Sequence, residues 1–186
     1  MEFWLLASKC LAVLGGLSVL FSTQPQVALM PPQMSIEADY LTVKTKLLNA
    51  FPQELDEIFL SGTPVILKFK VSLREKNTHL LKEEEVVFHK VSYDLIKKEY
   101  SIVFSSYSTS PPKKTSDILE MKKWFGELNT KLISYEKILP EKLYLVEVEA
   151  YLLPIEIRAL KRKKFDLMSF WKYKVPKVTL EAVLKE

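Results

Sequence analysis

The chain has 186 residues, 48% hydrophobic and 27% charged, a balance that fits one globular domain and excludes a disordered or fibrous class. Its 27 basic residues against 23 acidic ones leave +4, too small an excess for nucleic acid, which calls for a dense basic face with stacking aromatics. The lone cysteine, Cys10, lies in an apolar N-terminal stretch, so the rest of the chain has no disulfide framework, thiol nucleophile or Cys-ligated zinc.

Residues 10–21 (CLAVLGGLSVLF) carry no charge. The run matches the apolar region of an export signal and falls short of the roughly 18–20 residues that span a bilayer comfortably. A signal peptide over residues 1–28 is therefore expected. No A-x-A cleavage site is present, since Gln26 stands two residues before Ala28, so an uncleaved anchor over residues 3–21 in the inner membrane is the open alternative. Either way the domain at 34–186 belongs to the periplasm or cell envelope. Pro25, Pro31 and Pro32 separate it from the apolar segment.

Residues 34–43 alternate, with Ile36, Ala38 and Tyr40 opposite Glu37 and Asp39, which predicts a strand. Phe51, Leu55, Ile58 and Phe59 then follow helical spacing; Pro52 suits a first turn and Gly62 the residue just past the end, so a helix is predicted over 52–60. Residues 64–73 place Val65, Leu67, Phe69, Val71 and Leu73 on one face and Lys68, Lys70 and Ser72 on the other. Segments 85–93 and 97–105 continue as an antiparallel meander, with Val87, His89, Val91 and Tyr93 sharing a parity. Residues 108–114 (STSPPKK) form a loop, and Asp117 with Glu120 caps a helix over 117–128 whose stripe is Ile118, Met121, Phe125 and Leu128. Further strands are predicted over 131–138, 143–153 and 178–184. Together these give a mainly β, α+β fold: an antiparallel, sandwich-like domain with two short helices, preceded by the apolar export or anchor helix.

Beyond the N-terminal segment only Gly62 and Gly126 remain, which excludes a P-loop, a Gly-rich dinucleotide turn and a G-x-S-x-G elbow. The two histidines, His79 in a polar loop and His89 in a strand, have no metal-ligand spacing and read as a solvated and a sheet histidine. Glu147 and Glu149 project from one strand face and are the best carboxylate pair for glycoside hydrolysis, with a salt-bridged solvated face as the plainer reading. Glu83-Glu84-Glu85 reads as a solvated turn that could hold a weak Ca²⁺. No catalytic, cofactor-binding or metal-binding residue is assigned. The feature singled out is the C-terminal stretch Arg158, Lys161, Arg162, Lys163, Lys164, Phe165, Phe170, Trp171 and Tyr173, a basic and aromatic combination suited to an anionic membrane surface or an envelope protein partner. The competing reading is a solvated charge run flanked by core aromatics.

The order of segments resembles the exported bacterial proteins of unknown function grouped as DUF4390. The resemblance rests on Leu55 through Ser61-Gly62-Thr63-Pro64 into VILKFKVSLRE, on Val91-Ser92-Tyr93-Asp94-Leu95 through Glu99-Tyr100, on Tyr144 to Leu153 with Pro154, and on Ser169-Phe170-Trp171. It implies an export signal and an envelope location and supplies no catalytic residues. The expected function is a non-enzymatic binding domain, with a glycan-acting enzyme and a lipid or small-ligand carrier as alternatives. Oligomeric state is left open.

Overall fold

The computed structural model describes residues 26–105, 111–137, 142–157 and 163–183. The apolar segment expected at residues 3–21, as signal or anchor, lies outside them.

Twelve strands and two short helices are present among the described residues. Six strands form one antiparallel sheet. These are β12 (Lys177–Val183), β9 (Leu143–Leu152), β4 (Val65–Glu75), β5 (Leu81–Asp94), β6 (Glu99–Ser105) and β7 (Lys113–Thr115), in that spatial order. A second antiparallel sheet centres on β3 (Tyr40–Leu48), with β8 (Glu127–Ser134) on one side and β1 (Ala28–Leu29) and β2 (Gln33–Glu37) on the other. Pro31 and Pro32 interrupt the ladder between β1 and β2, a place that proline tolerates because the strand lies at the sheet edge.

The alternation read from residues 64–73 governs the large sheet. Val65, Leu67, Phe69, Val71 and Leu73 are fully buried, as are Val146, Val148 and Ala150 from β9 and Ile102 from β6. They form one hydrophobic cluster with Leu41 and Val43 of β3 and with Leu128 and Leu132 of β8, so the two sheets share a core. Phe51, Phe59 and Phe125 close one end of it, with ring centroids 5.3–6.0 Å apart.

The two helices sit at that end. The 3-10 turn Gln53–Leu55 runs into α1 (Asp56–Leu60), which stops at Gly62, whose φ of +76° a side chain would strain. α2 (Ile118–Gly126) starts at Asp117, whose carboxylate accepts from the Leu119 amide at 2.8 Å, as the cap pattern predicts.

Five expectations about these elements are corrected. Residues 34–43 do not form one strand: the chain reverses at Ala38 and Asp39, both left-handed (φ 48° and 64°), so that Ile36 and Tyr40 lie on partly exposed positions of the β2–β3 hairpin. The second helix ends at Gly126 rather than residue 128, because Leu128 already points inward from β8, and that strand runs over Glu127–Ser134 rather than 131–138. The run Glu83-Glu84-Glu85 is not a turn but part of β5, and Glu85 is buried at 5% exposure. The proline loop contributes the short edge strand β7.

Candidate functional site

The carboxylate pair on β9 stands where the sequence places it, on the solvent side of the large sheet. Register sets Lys70 beside Glu149 on β4, and sets Lys177 beside Glu149 and Thr179 beside Glu147 on β12. Lys177 Nζ lies 2.7 Å from Glu147 and 3.4 Å from Glu149, while the Tyr151 hydroxyl donates to Glu149 at 2.7 Å. The bond from Tyr151, reinforced by Lys177, lowers the Glu149 pKa, and the same bond pushes the Tyr151 phenol up to about 12. A glycosidase needs one carboxyl held protonated by its surroundings. Here Glu149 is held ionised and both acids share one lysine, so the salt-bridged reading fits the geometry.

His89 faces the core from β5 and is 2% exposed. Its ring lies edge-on to Phe69 and Phe104, with centroids 5.1 and 4.7 Å away, and Nδ1 is 2.9 Å from the Phe125 carbonyl. Burial among these rings brings its pKa down to about 4, so at neutral pH the uncharged imidazole donates Nδ1–H to that carbonyl. It is a satisfied core histidine that ties the large sheet to the end of α2. His79 is exposed in the β4–β5 turn with φ 55°.

Glu85 shares the interior face of β5 with His89. Burial raises its pKa, and the Thr130 hydroxyl lies toward its carboxyl, yet Glu85 Oε2, Thr130 Oγ1 and Thr42 Oγ1 all lack a hydrogen bond of good geometry. No group of three or more His, Cys, Asp or Glu able to hold a metal ion is present among the described residues.

The C-terminal stretch divides into three parts. Ile155–Ile157 (β10) and Lys163–Phe165 (β11) form a hairpin in which Ile155 opposes Phe165, and Lys164 and Phe165 are exposed. Arg158, Lys161 and Arg162 lie outside the described residues, and Lys163 is described only by its backbone in β11. Asp166 then caps a 3-10 helix, Leu167–Trp171, by accepting from the Met168 amide at 2.9 Å.

Trp171 is corrected as a surface residue: it is 3% exposed and donates its indole N–H to the Ala50 carbonyl at 2.7 Å, fastening this helix to the β3–α1 connection. Immediately after it, Lys172 and Tyr173 both adopt left-handed backbone, and Tyr173 projects at 67% exposure.

A depression of about 400 Å³ lies between this turn, the start of the described chain and the β3–α1 connection, lined by Gln26, Phe51, Pro52, Phe170, Lys172 and Lys174. Phe165 packs against Phe170 at 6.1 Å, which brings the base of the hairpin to its rim. Sequence reasoning stopped at Tyr173 and missed Lys172 and Lys174; their neighbours Gln26 and Asn49 are remote in the chain. No family model, curated protein or solved structure matches this chain.

Proposed function

We propose that this chain is an exported envelope protein whose sandwich-like domain is a non-enzymatic binding module for a membrane protein or the membrane surface. The apolar residues 1–28 deliver it, as a signal peptide or as an anchor over residues 3–21, and the resemblance to DUF4390 fits that location. One observation carries the reading. The acid–base candidates are engaged or sealed, Glu147 and Glu149 by Lys177 and His89 by the core, whereas exposed lysines and aromatic rings gather around the depression beside Trp171.

A glycan hydrolase built on the Glu147 and Glu149 pair would have to use, in Glu149, a carboxylate whose pKa is lowered rather than raised. The carrier alternative meets an interior filled by Phe59, Phe69, Phe125 and Tyr144. Affinity capture of the full chain, tagged at the C-terminus, from native membranes tests the proposal by mass spectrometry. The expected result is a specific membrane component that is absent when a tagged control domain is used. Glycan hydrolysis by the purified chain, lost in Glu147→Gln/Glu149→Gln, would overturn it in favour of the enzyme.

A further inference from the structure

We propose that the end of the domain at which the chain enters from residues 1–25 is a seat for an anionic phospholipid surface, formed by Lys46, Lys123, Lys172 and Lys174 with Leu119 and Tyr173. The inference rests on the envelope reading above and adds which face meets the bilayer, and by what chemistry.

The entry point is pinned to this end. Ala28 and Leu29 pair with Leu48 and Leu47, the Met30 amide donates to the Lys46 carbonyl at 2.9 Å, and Asn49 Nδ2 donates to the Gln26 carbonyl at 3.3 Å. Only five residue steps separate Gln26 from Phe21, where the apolar run stops, a reach of at most about 17 Å. With residues 3–21 as the uncleaved anchor, a run embedded in the bilayer tethers this end of the domain within that reach of the headgroups.

The chemistry of this end suits headgroups. The depression beside Trp171 and a second one, lined by Lys46, Leu48, Leu119, Lys122 and Lys123, share Asn49 and Phe51, so they are one continuous surface. Lys46, Lys123, Lys172 and Lys174 are exposed and make no ion pair among the described residues. Glu54 and Glu127 line the same surface and Lys122 is held by Asp56, which leaves an excess of positive charge. Each lysine near an anionic leaflet adds electrostatic attraction, and an aromatic ring beside it settles at the interface. Leu119 lines the second depression and Tyr173 stands between Lys172 and Lys174 in the chain; at 71% and 67% exposure they offer apolar and aromatic contact to a headgroup layer.

The backbone fixes this turn. Lys172 and Tyr173, with φ of 51° and 57°, are left-handed and end the 3-10 helix Leu167–Trp171. The fold holds them there through Tyr173 N–H to the Met168 carbonyl and Lys172 N–H to the Ser169 carbonyl, both 2.9 Å.

The test uses the full chain reconstituted in vesicles, with Cys10→Ser and a single environment-sensitive fluorophore at Val175→Cys beside the seat, or at Asn77→Cys in the β4–β5 turn at the other end of the large sheet. With phosphatidylcholine and phosphatidylglycerol the label at 175 is expected to shift to the blue and to be quenched by headgroup-labelled lipid, while the label at 77 is not. Phosphatidylcholine alone should give little shift. Lys172→Glu/Lys174→Glu and, separately, Lys46→Glu/Lys123→Glu should each reduce the signal several-fold with an unchanged melting curve. Equal signals at 77 and 175, or a signal at 175 indifferent to lipid charge and to both reversals, would overturn the inference. Capture of a specific membrane protein together with either of those results would leave the envelope reading standing and remove only the lipid seat.

Discussion

The two faces of the large sheet carry ionisable groups that are disarmed in opposite ways. On the inner face, His89 and Glu85 are stripped of water, so each is pushed toward its uncharged form, His89 by a lowered pKa and Glu85 by a raised one. On the outer face, Glu147, Glu149, Tyr151 and Lys177 keep their solvent and are matched to one another, while Lys70 pairs with Glu84 and Lys68 lies over the Tyr151 ring at 4.7 Å. The end beside Trp171 differs from both, because Lys46, Lys123, Lys172 and Lys174 there are exposed and lack acidic partners among the described residues. Charge that is neither buried nor matched is what an external anionic surface can use.

The contrast between the faces can be broken most severely from the inside. Phe69→Ala removes a fully buried ring beside His89 on the inner face and should cost about 3–5 kcal/mol, read by chemical denaturation. Acid should act next. His89 is neutral in the fold with a pKa of about 4 and titrates near 6.5 when unfolded, so its contribution is fully present above pH 6.5 and is lost as the pH falls toward 4. A loss on the order of 3 kcal/mol across that window is expected, and His89→Phe should flatten the slope of melting temperature against pH. Glu85 has the reverse sign. Its folded pKa is raised, so its favourable contribution is present below about pH 4.5 and declines as the pH rises through the folded value. Glu85→Gln should therefore stabilise the protein at pH 7–8 and change little at pH 4, read by melting temperature against pH. The smallest effect belongs to the outer face, where Glu147→Gln/Glu149→Gln should alter stability by less than about 1 kcal/mol because the pairs are solvated. A larger loss would mean that the outer face contributes to the fold as the inner face does.

What could be read in advance followed local periodicity. The β4 pattern is unambiguous because a one-residue slip would expose five apolar side chains, and Asp117 marks the start of α2 by its own side chain. Reading failed where two structures share a pattern. The alternation through Ile36, Ala38 and Tyr40 is equally that of two short strands meeting at a two-residue turn, and no glycine announces it. Leu128 extends the helical stripe of α2 and also fits the inward parity of β8, so spacing alone could not end the helix at Gly126. Of the candidate surface, the lysines and aromatic residues after 158 were legible by type. Whether each is paired or buried was not. The Trp171 bond to Ala50 spans 121 residues, and the entry of the chain at Gln26 beside Lys172 depends on β1 pairing with the end of β3.

The charge partition is tested most directly by hydrogen–deuterium exchange of the full chain in vesicles with and without anionic lipid. Slower exchange confined to residues 46–51, 119–123 and 170–175 in anionic vesicles, with residues 66–72 and 86–90 of the central strands β4 and β5 unchanged, is the expected result. Protection spread over the outer face of the large sheet, or none that depends on lipid charge, would contradict it.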